Sequence, residues 1–156
     1  MISYRIAKTR KRAEDLSGTG AFKVGGRWNN SGVFALYTSE NQALAMLELL
    51  VHLEESELPP DLYITSLSID LSASILHFND DGLPLDWRLP DNITLRNIGD
   101  RILNNKEHIG FRVRSAVMPE EYNLVLNPLY PDFNRLVTIT RIDRLEVDQR
   151  LNPPLS

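Results

Sequence analysis

The segment Gly25-Gly26-Arg27-Trp28-Asn29 combines residue types that nucleotide-binding sites use. Its glycines allow a turn with positive φ, or a close approach of the backbone to a ligand. Arg27 carries a planar fork of donors that suits phosphate, and the ring of Trp28 follows it directly. The segment therefore indicates a nucleotide site. Taken in isolation, however, it is more typical of a turn with a solvated arginine and a core tryptophan.

A carboxylate stands on the apolar face of a predicted helix. Leu44, Leu47, Glu48 and Val51 recur at i, i+3, i+4 and i+7, which places them on one side. A buried carboxylate without a partner is costly, so Glu48 needs either a partner or a function. The alternatives are an edge position that reaches water and a structural ion pair with an arginine. Periodicity alone slightly favours these alternatives.

Length and composition predict one domain over residues 1–156 with a sizeable core. The hydrophobic fraction of 42% and the charged fraction of 24% are those of an ordinary globular chain. The net charge of −4 argues against direct nucleic-acid binding, which needs clustered cations. The one basic run, residues 8–12, is followed at once by Glu14 and Asp15, and we interpret it as a solvated segment, with an anion-binding role as the minor alternative.

Metal chemistry and membrane insertion are not expected. The chain has no cysteine, and its three histidines are far apart in sequence, so neither a disulfide nor a metal site is predicted. The N-terminus lacks the apolar run of a signal peptide, and no apolar stretch approaches the length of a membrane span. We therefore expect a cytoplasmic protein.

The order of predicted elements indicates an α+β fold with a split, mostly antiparallel β-sheet and two main helices. The first helix is predicted from Glu40, because Ser39 and Gln42 form a capping-box pattern. The second covers residues 92–105, with Gly99 as a weak point. A shorter helix is predicted to begin at Pro119. Strands are predicted at residues 2–6, 33–38, 62–71, 75–78, 109–117 and 124–126, and residues 136–142 and 145–147 are predicted to give one or two final strands.

Two connecting segments complete the pattern. Residues 13–26 contain four of the eight glycines and are predicted as a loop with a helical turn near 13–16. Residues 79–90 are predicted as a second loop, in which Trp87 anchors to the core. Motifs of dinucleotide-binding Rossmann folds, P-loops and serine hydrolases are absent from the sequence.

Taken in order, several segments resemble the RES-domain family, which is named for its arginine, glutamate and serine. The resemblance extends over nearly the whole chain, from Tyr4-Arg5-Ile6 to the last strands. The segments that carry it are Gly25-Gly26-Arg27-Trp28-Asn29, Leu36-Tyr37-Thr38-Ser39, Leu44-Ala45-Met46-Leu47-Glu48, Ser115-Ala116-Val117 and Asn123-Leu124-Val125-Leu126-Asn127-Pro128.

This resemblance implies a fold similar to that of ADP-ribosyltransferase toxins and a role as the toxin of a toxin–antitoxin pair. The implied partner is an Xre/HTH-type antitoxin, in a complex that contains a toxin homodimer. The implied substrate is NAD, with no resident cofactor. NAD would be degraded by phosphorolysis, with inorganic phosphate as co-substrate, to ADP-ribose 1″-phosphate and nicotinamide. The alternatives are ADP-ribosylation of a protein and a non-enzymatic module that only binds a partner.

The resemblance also assigns the site residues. The family's arginine, tyrosine, glutamate and serine match Arg27, Tyr37, Glu48 and Ser115, and its N-x-x-x-N-P segment matches Asn123 and Asn127. Trp28, Asn123 and Asn127 are expected to contribute to substrate binding. Two positions depart from the family pattern: Arg114 stands where many members have proline, and Tyr130 stands where many have histidine.

The chemistry of the bond assigns a role to each catalytic residue. Cleavage between nicotinamide and ribose passes through an oxocarbenium-like transition state, which a carboxylate such as Glu48 stabilises. Arg27 is expected to clamp the pyrophosphate or an incoming phosphate, and Tyr37 to stack beside the nicotinamide or ribose. Ser115 is expected to hydrogen-bond phosphate or the nicotinamide amide. A core-rim tyrosine and a backbone-bonded serine are the structural alternatives. Arg5 and Arg114 are candidates for further phosphate ligands.

Overall fold

The computed structural model describes residues 1–53 and 58–151, so residues 54–57 and 152–156 of the predicted domain lie outside the described residues. The described residues form seven strands and five α-helices. The strands are β1 Ile2–Ala7, β2 Leu36–Ser39, β3 Leu62–Ile69, β4 Ile75–His77, β5 Gly110–Arg114, β6 Tyr122–Leu126 and β7 Val137–Leu145; the helices are α1 Arg10–Glu14, α2 Thr19–Val24, α3 Gln42–Leu50, α4 Ile93–Asn105 and α5 Phe133–Leu136.

All seven strands belong to one sheet, in the order β4-β5-β6-β2-β1-β3-β7. Every pair of neighbours is antiparallel except β4 and β5, which run parallel. The predicted α+β class with a mostly antiparallel sheet is therefore confirmed.

The sheet is split at its centre, between β1 and β2. These strands pair at one position, Tyr4 opposite Ser39. By contrast, β1 pairs with β3 along its whole length, from Ile2 to Ala7. The sheet thus consists of two well-paired parts, β4-β5-β6-β2 and β1-β3-β7, which share a narrow junction. Helix α3 packs across this junction on both β1 and β2.

The alternation of side chains along the strands produces one hydrophobic core on each face of the sheet. Leu124 and Leu126 of β6 enter a first core, together with Phe133 of α5. Val125, between them in sequence, enters a second core that also contains Trp28. Each fully buried side chain of this size contributes roughly 1.5–3 kcal/mol relative to an exposed one.

Helix α4 covers the second core and follows its prediction to within one residue. The Asn92 side chain caps it by accepting a hydrogen bond from the Leu95 backbone N–H. Leu95 and Leu103 are buried, whereas Ile93, the first residue of the helix, is 57% exposed. Gly99 is required at its position, because an added Cβ would lie 1.8 Å from the Trp28 carbonyl oxygen.

Helix α3 begins at Gln42, so the predicted start at Glu40 is wrong. The cap is Asn41, whose side chain accepts a hydrogen bond from the Leu44 backbone N–H. Ser39 cannot serve as the cap because it is the last residue of β2, and its hydroxyl donates to Asn123 Oδ1 instead.

The other differences concern short connections. The segment predicted as a loop between residues 13 and 26 contains the end of α1 and all of α2. No helix begins at Pro119: the Glu121 backbone N–H donates to the Met118 carbonyl, and this turn leads directly into β6. Of the one or two strands predicted after residue 136, the structure has one, β7. Trp87 is half-buried against the second core, in agreement with its predicted anchoring.

Candidate functional site

The Glu48 carboxylate lies at the junction of the split sheet and is held by two side chains from distant parts of the sequence. Its Oε1 atom accepts hydrogen bonds from Ser115 Oγ at 2.7 Å and from Asn123 Nδ2 at 2.6 Å. Glu48 is supplied by α3, Ser115 directly follows β5, and Asn123 belongs to β6. Glu48 therefore has partners, and they are neutral donors instead of the arginine of a structural ion pair.

The donors to Glu48 are themselves fixed in place. Ser115 is fully buried, and its Oγ accepts hydrogen bonds from the backbone N–H groups of Val117 and Met118 at 3.1 and 3.0 Å. The Asn123 Oδ1 accepts a hydrogen bond from Ser39 Oγ at 2.7 Å, which orients its amide so that Nδ2 points at Glu48. These contacts restrict the Glu48 carboxylate to one position before any ligand binds.

Tyr37 is the aromatic residue of β2, and its hydroxyl makes two hydrogen bonds. It donates to Asn29 Oδ1 at 2.7 Å and accepts from the Trp28 backbone N–H at 2.9 Å. Burial raises the pKa of the Tyr37 phenol, so this group is neutral at ordinary pH. Gly26 permits the arrangement, because a Cβ there would lie 2.6 Å from the Tyr37 hydroxyl oxygen.

Arg27 is half-buried beside these residues. Its Nη1 donates to the carbonyl oxygens of Trp87 and Leu89 at 3.0 and 3.1 Å, so part of the guanidinium is engaged by the 79–90 loop. Burial lowers the pKa of Arg27, and the nearby negative charge of Glu48 opposes that shift. Arg27 and Glu48 therefore act on each other electrostatically.

A cleft of about 670 Å3 opens between α2 and α3 above the junction of β1 and β2. Its walls include Tyr37, Glu48 and Asn123, but Arg27 and Ser115 are not among the residues that line it. This volume lies within the range of roughly 300–1,000 Å3 that small-molecule sites occupy. The cleft thus exposes the Glu48 carboxylate at the point where the sheet is split.

Two predicted substrate-binding residues lie apart from the cleft. The ring of Trp28 is buried in the second core at 2% exposure, with edge contacts to Phe78 and Phe111, so no face of it is open to a ligand. Asn127 is buried as well, and its Nδ2 donates to the Leu103 carbonyl. Both residues are therefore structural in this arrangement: Trp28 supports the Arg27 segment, and Asn127 fixes the end of α4.

The two arginines considered as additional phosphate ligands are held by contacts within the protein, although Arg5 also lines the cleft. Arg5 donates through Nη1 to the carbonyls of Arg12 and Asp15, which ties α1 to β1. Arg114 forms a salt bridge with Asp80 at 2.6 Å and donates to the Pro119 carbonyl. Tyr130 packs against the first core, on the opposite face of the sheet from Glu48.

Sequence reasoning missed two residues of the site. Asn29 is fully buried and holds the Tyr37 hydroxyl, while its own Nδ2 donates to three backbone carbonyls. The local pattern predicts Ser39 as a helix cap, whereas its hydroxyl orients Asn123, which is 84 residues away in sequence. The sequence feature that points to Asn29 is its place at the end of the motif Gly25-Gly26-Arg27-Trp28-Asn29.

Comparisons with known proteins agree with this architecture. Residues 2–148 match the family described as the RES domain. A protein of Photorhabdus laumondii named Toxin Res is 39% identical over 154 residues, covering 97% of each chain. A Sphingobium protein named Prs ADP-ribosylating toxin is 35% identical over 134 residues, covering 83% of each chain.

A solved structure shares the fold. It is the toxin–antitoxin complex MbcT–MbcA of M. tuberculosis, matched with a TM-score of 0.68 at 18% identity, over 92% of this chain and 83% of that one. Among the helices of residues 1–53 and 58–151, none combines the length and the hydrophobicity needed to cross a bilayer. From the family match over residues 2–148 and the identity to curated relatives along nearly the full length, this chain belongs to the RES-domain family.

Proposed function

We propose that this chain is the toxin of a toxin–antitoxin system and that it cleaves the bond between nicotinamide and ribose in NAD. The observation that carries the proposal is the Glu48 carboxylate, anchored through Oε1 in a cleft large enough for a dinucleotide. Its Oε2 atom accepts no hydrogen bond from the described residues, so this oxygen is available to a ligand.

In the proposed reaction, the C–N bond between nicotinamide and the ribose C1″ breaks, and its electron pair passes to the nicotinamide nitrogen. The nicotinamide leaves neutral and needs no proton, so a second acidic residue is unnecessary. Positive charge develops on the ribose, and Glu48 stabilises it electrostatically. An oxygen of inorganic phosphate then bonds to C1″, which yields ADP-ribose 1″-phosphate.

Ser115 and Asn123 act in this scheme as positioning residues for Glu48. Because both donate to Oε1, they withdraw one oxygen from exchange with water and fix the direction of the other. Tyr37 borders the cleft as a neutral phenol and offers its ring to the nicotinamide or ribose. Arg27 retains Nε and Nη2, which make no hydrogen bond to a described residue, for the incoming phosphate.

Transfer of ADP-ribose to a protein is the second candidate. The Sphingobium relative is named an ADP-ribosylating toxin, and it is 35% identical to this chain. The first step would be unchanged, because the same bond breaks and the same carboxylate stabilises the ribose. Only the acceptor would differ, since a nucleophilic side chain would replace phosphate.

We further propose an Xre/HTH-type antitoxin as the partner, a toxin homodimer within the complex and a cytoplasmic location. The structural neighbour from M. tuberculosis is a toxin–antitoxin complex, which supports a partner of this general kind. Inhibition would follow if the antitoxin covered the cleft or inserted a segment into it. The bound complex is then expected to consume little NAD.

Product analysis tests the reaction. Partner-free protein is incubated with NAD, with and without inorganic phosphate, and the products are resolved by mass. Phosphate-dependent ADP-ribose 1″-phosphate with nicotinamide is the expected result. ADP-ribose formed without phosphate dependence would indicate hydrolysis, and label transfer from adenine-labelled NAD to a protein would indicate the transferase. Unchanged NAD with phosphate, without phosphate and with an added acceptor protein would refute the enzymatic proposal in favour of a partner-binding module.

Glu48→Gln tests the role of the carboxylate. The variant keeps an oxygen that accepts from Ser115 and Asn123, so the fold should persist, while the negative charge is lost. We expect a fall in NAD turnover of about 100-fold or more, in the range of a lost electrostatic contact in a transition state. Glu107→Gln, at an exposed position, is the matched control and should leave turnover unchanged. Full NAD consumption by folded Glu48→Gln protein would refute the assignment.

A further inference from the structure

The lining of the cleft carries a concentration of positive charge that the catalytic scheme does not use. Lys8, Arg12 and Lys23 all line the cleft, although the whole chain has a net charge of −4. They come from separate elements: Lys8 directly follows β1, Arg12 belongs to α1, and Lys23 belongs to α2. The fold therefore brings together cations that are dispersed in the sequence.

These cations are not consumed by contacts within the protein. Among the described residues, none of the three forms a salt bridge, whereas Arg10 on the same helix as Arg12 pairs with Glu14 at 3.1 Å. All three residues are exposed, so their charges face solvent in the cleft. The acidic residues that line the cleft are Glu48 and Asp15, and the Asp15 Oδ1 already accepts from the Ser17 backbone N–H. The three cations outnumber these two carboxylates, so the lining keeps a net positive charge.

The position of Arg27 strengthens the case for a separate anion subsite. In the proposed reaction the remaining donors of Arg27 serve the incoming phosphate, and its Nη1 is engaged by the Trp87 and Leu89 carbonyls. A dinucleotide in the cleft would carry two negative charges on its diphosphate, at a distance from the scissile bond. To be bound, those negative charges need cations in the cleft that do not occupy the position of the ribose at Glu48.

We infer that Lys8, Arg12 and Lys23 form a subsite for the diphosphate of a dinucleotide whose reacting ribose lies at Glu48. This inference rests on the proposed function, because it takes the ribose position from Glu48. It adds a source of specificity: a mononucleotide with the same glycosidic bond would lack the second phosphate, and the subsite would hold it less tightly. The cleft would thus select dinucleotides through charge, at a point remote from the chemistry.

Binding of ADP to the full chain tests the subsite without any reaction, since ADP has the diphosphate and no nicotinamide. Lys8→Ala/Arg12→Ala should weaken ADP binding by about tenfold in calorimetry, as expected for two partly solvated charge-assisted contacts. Arg10→Ala/Lys11→Ala is the matched control, because it removes the same charge from the same segment outside the cleft. Lys23→Ala tests the contribution of α2 and should weaken binding by a smaller factor. Raising the salt concentration should reduce the difference between the two double variants.

Turnover separates this inference from the proposed function. With NAD, Lys8→Ala/Arg12→Ala should raise KM by about tenfold and leave kcat nearly unchanged, while the KM for nicotinamide mononucleotide changes less. Equal ADP affinity in the two double variants would overturn the subsite even if NAD is consumed. Conversely, a selective loss of ADP binding in a protein that leaves NAD intact would support the subsite and refute the proposed reaction.

Discussion

Gly99→Ala is expected to destabilise the protein, although it replaces a glycine in a helix by the residue with the highest helix propensity. In an exposed helix this change stabilises by roughly 0.5–1 kcal/mol. At position 99, however, the new Cβ would lie 1.8 Å from the Trp28 carbonyl oxygen and 2.7 Å from the Trp28 carbonyl carbon. Both are backbone atoms, so no side-chain rotation relieves the contact.

The size of the effect follows from this geometry. Ordinary contacts begin at about 3.4 Å, so α4 and the Trp28 backbone must separate by about 1.6 Å. Overpacking of a well-packed core costs typically 1–3 kcal/mol, and a clash between two backbones belongs at the upper end. After the gain in helix propensity is subtracted, we expect a net loss of about 2 kcal/mol. For a chain of 156 residues, this corresponds to a fall in Tm of about 4–8 °C.

Gly20→Ala provides the control. Gly20 also lies in a helix, α2, but an added Cβ there meets nothing within 4 Å. We expect an unchanged or slightly raised Tm, by up to about 4 °C for a gain of about 1 kcal/mol. Both variants and the wild type are compared by thermal and denaturant unfolding. If Gly99→Ala raised Tm as Gly20→Ala does, the tight approach of α4 to Trp28 would be refuted.

Two further predictions concern buried hydroxyl groups. Tyr37→Phe should lower the free energy of unfolding by about 2–3 kcal/mol, because it leaves the Trp28 N–H and Asn29 Oδ1 without their partner. Burial raises the pKa of Tyr37, so its neutral form stabilises the fold fully below the unfolded value of about 10, and this contribution is lost as pH rises above it. Denaturation at a series of pH values should therefore show stability falling more steeply above pH 10 in the wild type than in Tyr37→Phe; parallel curves would contradict this. Ser3→Ala should leave stability unchanged or raise it by up to about 1 kcal/mol, because Ser3 Oγ is buried without a hydrogen-bond partner among the described residues. Thr65→Val, which removes a hydroxyl that donates to the Ala13 carbonyl, should instead lower it by about 1 kcal/mol, and denaturant unfolding of both variants decides between these signs.

Elements with long periodic patterns were predicted well from the sequence, because burial on one face dominates their energy. Helix α4 was predicted to within one residue since Asn92, its cap, precedes a clear apolar stripe. Its glycine reduced the strength of the pattern, and the reason for it became visible only once Trp28 lay against the helix. Helix propensity describes a residue within its own helix, whereas the requirement at position 99 comes from another segment.

Errors arose where a local pattern competed with a long-range contact. Ser39 and Gln42 match a capping box, yet Ser39 belongs to β2 and its hydroxyl binds Asn123. Trp28 follows an arginine in a glycine-rich segment, which is compatible both with stacking on a ligand and with burial in a core. The packing of Phe78 and Phe111 on its ring decides for the core, and neither residue is near it in sequence.

The candidate site was predicted only as a set of residues, without its connections. Glu48 was singled out because a carboxylate on an apolar face requires an explanation. Its partners Ser115 and Asn123 lie 67 and 75 residues away, and no local rule joins such positions. The family resemblance indicates which residues belong to the site, whereas the hydrogen bonds between them can be identified only in the folded structure.

The single residue pair that joins β1 and β2 has a consequence for local opening of the sheet. Since Tyr4 and Ser39 are the one point where these strands pair, the two parts of the sheet can exchange their amide hydrogens as separate units. Glu48 connects them from above, because α3 packs on both strands while its carboxylate binds Ser115 and Asn123 of the β5–β6 part. Glu48, the residue proposed to act on the ribose, therefore also connects the two parts of the sheet at the point where their strands are least paired. A dinucleotide bound across the junction of β1 and β2 would slow amide hydrogen exchange in both parts of the sheet. Ligand binding in the cleft and local opening of this junction would then be thermodynamically coupled.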